Sequence, residues 1–215
     1  MTTATVYELR RTEVNFAESE AWRSNFEAAV KNVVRGLWAG HLDYYQAWEA
    51  MDLAITNGFT RAWWDGADDV GIAPSELTPA ERQAMQRAIV HQRGYVDGFL
   101  TAIEDGSKAN GGKLAPLFSR ARLWTKRYDD VRNMARAQAG EDQRLMWVWD
   151  PSKEHCTTCG RLNGQVRRAS YWHAHVIPNS PKLECVHNAG GVPVCGCELV
   201  PTDQRCTPGP LPMGL

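Results

Sequence analysis

Apolar positions recur at steps of three and four through roughly the first two thirds of the chain, then switch to strict alternation. From about residue 13 to 140 the pattern predicts a run of amphipathic helices. In the first, Trp22, Phe26, Val30, Val33 and Leu37 share one face, and Gly36 and Gly40 weaken and close it. The second starts near Asp43, a good cap, and carries Tyr44, Trp48, Met51, Ile55, Phe59 and Ala62 on one stripe. A loop with Gly66, Gly71 and Pro74 is expected after it. The third has the clearest start: Thr78 caps, Pro79 suits the first helical position, and Glu81 completes a capping box. Met85, Ile89, Val96, Phe99 and Ile103 form its apolar side, with Gly94 and Gly98 as weak points or sites of close helix approach. Gly106 to Gly112 reads as a loop. The fourth helix has the cleanest period, in Leu117, Ala121, Trp124, Tyr128, Val131 and Ala135.

After Gly140, Leu145, Trp147 and Trp149 alternate with Met146 and Val148, the signature of a strand. Asn163-Gly164 marks a tight turn, so a hairpin is expected over Arg161 to Arg168. Ser170 to Gly191, rich in proline, asparagine and glycine, reads as a loop held by something other than a core. The segment after Pro201, with Pro208, Pro210 and Pro212, reads as extended and poorly ordered alone. The fold class is α+β, a mainly α-helical N-terminal bundle followed by a small zinc-ribbon-like β-hairpin domain. The expected division is 1–140 helical, 141–201 metal-binding and 202–215 a proline-rich tail.

A hydrophobic fraction of 43% and a charged fraction of 23% describe an ordinary globular protein. The formal net charge of −1 argues against a generalised nucleic-acid binder. No stretch reaches the roughly 18 to 20 apolar residues of a membrane span, and no secretory signal is expected at the N-terminus. The nine tryptophans, mostly at helical spacing, read as core. Arg120, Arg122, Lys126, Arg127, Arg132 and Arg136 give the fourth helix a basic side. That side reads first as a solvated face, and secondly as a surface for DNA phosphates or an acidic partner.

Cysteine placement narrows the chemistry most. Five of the six cysteines lie between Cys156 and Cys197, as Cys156-Thr-Thr-Cys159-Gly160, Cys185 and Cys195-Gly196-Cys197. Close thiolate pairs separated by a few dozen residues can surround one soft divalent ion, and Zn²⁺ takes four such ligands tetrahedrally. Gly160 offers the positive φ of a tight knuckle. Cys156 and Cys159 are the first ligands, with Cys185 and either Cys195 or Cys197 completing the set. Pairing of the cysteines as disulfides is the competing reading, and Cys206 is expected to be a free thiol. His155, His173, His175 and His187 lie nearby as further donors. An all-cysteine site is closed and structural, and would supply folding energy to a lobe with few aliphatics. The His-x-Glu deaminase signature, the Gly-x-Ser-x-Gly elbow, a phosphate-binding glycine loop and the His-Glu-x-x-His helix do not occur in the sequence.

The order of these features is that of a known family. A helical region is followed by the basic helix from Arg120 to Arg136 and a tryptophan strand ending at Asp150. Then come Cys156-Thr-Thr-Cys159, Leu162-Asn-Gly164, a loop with Pro178 and Pro181, and Cys195-Gly-Cys197-Glu-Leu-Val-Pro201. From about Leu117 to Pro201 this resembles the C-terminal domain of the phage Mu F-like minor head and head-morphogenesis proteins of tailed bacteriophages. Val192-Pro193-Val194 stands where members often have a histidine, and Cys185 is additional. The resemblance implies a non-enzymatic virion protein, made in the host cytoplasm and built into the procapsid near the portal or major capsid protein. Contact with packaged DNA through Arg120, Arg122, Lys126 and Arg127 is implied by analogy with relatives. Two other functions fit the residues. One is a zinc-ribbon nucleic-acid-binding module using Arg161, Arg167 and Arg168. The other is a metal hydrolase with His173, His175 or His187 as ligands and Glu184 or Asp150 as base.

Overall fold

Helix boundaries follow the capping chemistry closely in the structure, a computed structural model describing residues 3–139, 142–152, 155–188 and 195–212. Side chains of residues 3–20 and of His187 lie outside that description. Helix α1 (Thr3–Ala39) ends where Gly40 takes φ +74°. Helix α2 (Tyr44–Asp68) starts with a reciprocal cap. Asp43 Oδ1 accepts from Gln46 N at 2.8 Å, and Asp43 N donates to Gln46 Oε1 at 3.0 Å. Helix α3 (Pro79–Arg93) has the expected box, with Glu81 N donating to Thr78 Oγ1 at 3.3 Å and Thr78 N to the Glu81 carboxylate. The single third helix of the sequence reading is two, because the chain turns at Gly94–Tyr95 before α4 (Val96–Asp105). Helix α5 (Leu114–Gln138) follows.

Two compact units result. One comprises residues 1–65 and 86–128, the other 66–85 and 129–215. The boundary expected at residue 140 is therefore displaced, and the ends of α2 and α5 belong with the sheet. In the first unit Phe26, Val30, Val33, Val34 and Leu37 of α1 are buried, as are Met51, Ile55, Phe59 and Trp63 of α2. Val96, Phe99, Leu100 and Ile103 of α4, and Leu117, Ala121, Trp124 and Tyr128 of α5, complete that core. Trp22, expected on the buried stripe, is 47% exposed. Asp65 is the buried charge, paired with Arg61 Nε at 2.8 Å and accepting from Tyr128 Oη at 2.6 Å.

The second unit holds a three-stranded sheet in the order β2-β1-β3, antiparallel throughout. Its strands are β1 (Arg144–Val148), β2 (Val166–Arg168) and β3 (Glu198–Pro201). Leu145 and Trp147 are fully buried, as the alternation requires, while Trp149 stands past the strand and is 37% exposed. The hairpin expected over Arg161 to Arg168 does not form. Residues Thr157–Leu162 make helix α6 instead, Gly164 turns at φ +78°, and β2 pairs with β1. The expected loop after Ser170 contains helices α7 (Ala169–His175) and α8 (Glu184–Asn188). It also supplies core through Trp172, Val176, Leu183 and Val186. Trp172 packs on Trp147 with ring centroids 5.5 Å apart and donates Nε1–H to Leu145 O at 2.8 Å. The lobe is thus not coreless.

The C-terminal segment is also anchored rather than loose. Thr207 bonds both backbone groups of Val166, through Thr207 N to Val166 O (2.9 Å) and Val166 N to Thr207 Oγ1 (3.0 Å). Arg167, 4% exposed, donates to the carbonyls of Thr207 (2.5 Å), Gly209 (3.2 Å) and Pro210 (3.4 Å). One of the arginines proposed for nucleic acid therefore faces inward.

Two arginines of the basic helix are structural as well. Arg132 grips Asp69 with Nε at 2.7 Å and Nη2 at 2.8 Å, and Arg136 Nε meets the same carboxylate at 2.6 Å. Arg136 also reaches Glu198 at 3.2 Å, and Asn133 Oδ1 accepts from Leu199 N at 2.9 Å. Gly66, expected in a loop, lies inside α2 against α5. A Cβ there would sit 2.3 Å from Arg132 O and 2.7 Å from Ala135 Cβ. A Cβ on Gly98, by contrast, would meet nothing within 4 Å among the described residues.

Two predictions come from this packing. Gly66→Ala should destabilise the protein by about 2 kcal/mol or more through backbone displacement, whereas Gly98→Ala should gain up to about 1 kcal/mol of helix propensity. Urea unfolding measures both, and equal effects would contradict the close approach at Gly66. Burial pushes the Asp69 carboxyl up, but the hydrogen bond and charge of Arg132 and the charge of Arg136 outweigh it and hold its pKa below the usual value. A depressed folded-state pKa contributes stability above the unfolded value of about 4 and loses it as pH falls through the folded value. The stability gap between wild type and Asp69→Asn should therefore be full at pH 7 and shrink below about pH 4.

Candidate metal centre

Three chain segments deliver five sulfurs to one place. Cys156 is the N-cap of α6, its sulfur accepting from Cys159 N at 3.4 Å. Helical geometry then turns Cys159 inward, where it is fully buried. Gly160 sits within α6 without a positive φ, so the left-handed turn of this knuckle belongs to Gly164 rather than Gly160. Helix α8 brings Cys185 to 3.9 Å from Cys159 Sγ. The segment before β3 brings Cys195 to 3.4 Å from the same sulfur. Asn179, in the left-handed region at φ 60°, accepts from Cys195 N at 3.0 Å and fixes that approach.

The sulfurs form two close triads, Cys156–Cys159–Cys185 and Cys159–Cys195–Cys197, each with all its sulfurs within 4.8 Å of one another. All five ligand candidates are thus brought together. All six cysteines are free. A separation of 3.4 Å between Cys159 and Cys195 is far beyond the about 2.05 Å of a disulfide, so the disulfide reading is not realised. Four thiolates about 2.3 Å from one Zn²⁺ would lie about 3.8 Å apart along each tetrahedral edge. The measured 3.4 and 3.9 Å bracket that value. The donors are all soft, the class that selects zinc and other thiophilic cations. These cysteine clusters can hold a metal ion.

Proton sharing inside the cluster is uneven. Hydrogen bonds from Cys159 and Cys195 hold Cys197 down at about 4, with burial opposing and the Trp147 side chain assisting. Hydrogen bonds to Cys195 and Cys197, reinforced by burial, push the Cys159 thiol far up. Burial, with the neighbouring Cys195 and Cys156, pushes Cys185 up to about 12. A cation arriving here displaces the shared protons, so binding is strongly pH-dependent and weakens in acid. Trp147 was read only as core. Its Nε1–H is buried without a partner inside hydrogen-bond limits, yet it favours the Cys197 thiolate. Were an ion held here, this N–H is placed to act as an outer-shell donor of the kind metal thiolates commonly have. Alternation marks Trp147 as inward-facing, but the sequence carries no sign of what its N–H meets.

The histidines stand outside both triads among the described residues. His155 Nε2 lies 2.6 Å from Asp150 O, and its ring stacks on Trp149 at 4.5 Å. His175 Nδ1 lies 2.9 Å from Tyr171 O, with the rings stacked at 4.1 Å. His173 and Glu184 are exposed, and the side chain of His187 is outside the described residues. On the basic helix Arg120 and Arg122 are exposed, while Lys126 and Arg127 are half-buried. Arg120 lies over the Phe99 ring and Arg127 over Tyr95. Cys206 is exposed. No helix among the described residues is long and apolar enough to cross a membrane.

No family model, curated protein or solved structure matches this chain.

Trp147→Phe keeps an aromatic ring in the core but removes the donor. It should weaken Zn²⁺ binding by about 10-fold, within the range for outer-shell partners, as read by competition with a chromophoric chelator. Unchanged affinity would show that the indole N–H does not act on the sulfur cluster.

Proposed function

We propose that this chain is a structural minor capsid or head-morphogenesis protein of a tailed bacteriophage, of the phage Mu F-like kind. Its C-terminal lobe is clamped by a structural Zn²⁺, and it associates with the portal or the capsid interior in the virion. The observation that carries this reading is the meeting of the Cys-x-x-Cys and Cys-x-Cys motifs at one buried cluster beside the tryptophan strand. Those are the motifs on which the family resemblance rests. An all-thiolate donor set supports a closed, structural ion rather than a hydrolytic one, since catalytic zinc keeps a position for water among histidine and carboxylate ligands. On this reading the chain is not an enzyme.

The nucleic-acid-binding alternative draws on exposed Arg120, Arg122, Arg161 and Arg168. It loses Arg167 to the anchored C-terminal segment. Its test is a gel shift at about 50 mM salt, because phosphate contacts weaken steeply as salt rises. A salt-sensitive shift would favour that module, and no shift would remove it.

The structural reading is tested on the full chain in two measurements. Co-sedimentation with purified portal or procapsids should retain it, and a chain that ignores both would overturn the virion assignment. Chelation should remove zinc and lower the melting of the segment from residue 142 onward by more than about 20 °C, given an apparent metal contribution on the order of 10 kcal/mol. Segment-resolved hydrogen exchange should show the residue 21–65 helices unaffected. Uniform loss of protection, or none, would count against a metal clamp confined to the lobe.

A further inference from the structure

The five cluster sulfurs exceed what one tetrahedral ion can take, and their arrangement bears on the excess. They group in threes, Cys156–Cys159–Cys185 and Cys159–Cys195–Cys197, and the two triangles share the single vertex Cys159. Among the described residues no set of four is mutually that close. Beyond the shared α6, each triangle draws on a chain segment of its own. The first joins α6 to α8, and the second joins α6 to the residues entering β3.

We propose that the cluster is a dinuclear site, holding two thiophilic d¹⁰ cations of the Zn²⁺ class, one on each triangle, with the Cys159 thiolate bridging them. This rests on the metal-clamp reading above and extends it from one ion to two. Cys159 suits the bridge. It is fully buried, it is the sulfur common to both triangles, and Cys185 and Cys195 approach it at 3.9 and 3.4 Å. Three thiolates per ion leave one position on each for water or another donor, an ordinary coordination number for this cation class.

Charge points the same way. Five thiolates carry −5, so one divalent ion would leave −3 in a partly buried lobe, and two leave −1. Uncompensated buried charge is costly. With a single ion, protonating the fifth sulfur would be the way out, and that leaves one unliganded thiol that alkylation can reach through its thiolate form. The two arrangements therefore differ in a countable quantity.

The test is Zn²⁺ titration of the reduced, metal-free full chain, followed by native mass spectrometry and iodoacetamide labelling. Two ions per chain are expected at saturation, with labelling confined to exposed Cys206. Cys185→Ser dismantles only the first triangle and should bind one ion. Cys159→Ser removes the bridge and should never reach two. Saturation of the wild-type chain at one ion, with a second cysteine labelled, overturns the dinuclear site and leaves the single-ion clamp standing. Uptake of none overturns both. Portal association is read separately, so its failure does not bear on the ion count.

Discussion

A single sulfur atom, that of Cys159, is the point about which the C-terminal lobe is organised. Separate stretches of chain must all place a thiol beside it. Neutral thiols gain almost nothing from such crowding, and bare thiolates repel one another strongly. A cation would make the crowding favourable, and metal–sulfur bonds would then offset the conformational entropy of holding α6, α8 and the approach to β3 together. The rest of the lobe is consistent with this constraint. Strand β3 begins directly after Cys197, and α8 is a single turn around Cys185.

The sulfur cluster does not stand in for a core, because the lobe already has one. Trp147 and Trp172 are each fully buried and pack together, and Leu145, Leu162 and Leu199 of the same lobe are fully buried too. Burying an indole of about 200 Å² is worth on the order of 5 kcal/mol as an upper bound. Two of them rival what an ion supplies. Trp147 belongs to both, with its ring in the core and its side chain favouring the Cys197 thiolate. The hydrophobic and thiolate halves of the lobe therefore act as one cooperative body, and losing either should loosen the other.

Much of the helical body could be read from periodicity and caps. Asp43, Thr78 and Glu81 mark helix starts by chemistry that is local, and the stripe from Leu117 to Ala135 is buried as its spacing requires. The misreadings have tertiary causes. Gly66 looks like a loop residue, yet it is helical because the backbone of α5 passes where its Cβ would be. Arg132 and Arg136 look like solvated charges until Asp69, far away in sequence, is placed beside them. The sulfur cluster was legible as a set of ligands, since cysteine spacing alone implies a shared partner. Which sulfurs sit in which triangle was not. That depends on α6 turning Cys159 inward and on Asn179 steering Cys195, neither of which has a periodic signal.

Placement of the histidines bears on whether a metal held here would be a clamp or a hydrolytic ion. A water-activating site needs an open coordination position, a histidine or carboxylate in the ligand set, and a base within reach of the bound water. His155 and His175 are instead committed to backbone carbonyls and stacked on aromatic rings, and Asp150 accepts from Ser152 N at 2.9 Å. Even in the two-ion arrangement, any open position faces sulfur-rich surroundings. Thiolate donation lowers the Lewis acidity of the ion and leaves its water a poor acid. The same donation makes the ion hard to remove. On the proposed reading as a component assembled once and carried inside a particle, persistence of the fold would matter more than turnover, and a thiolate cage would provide it.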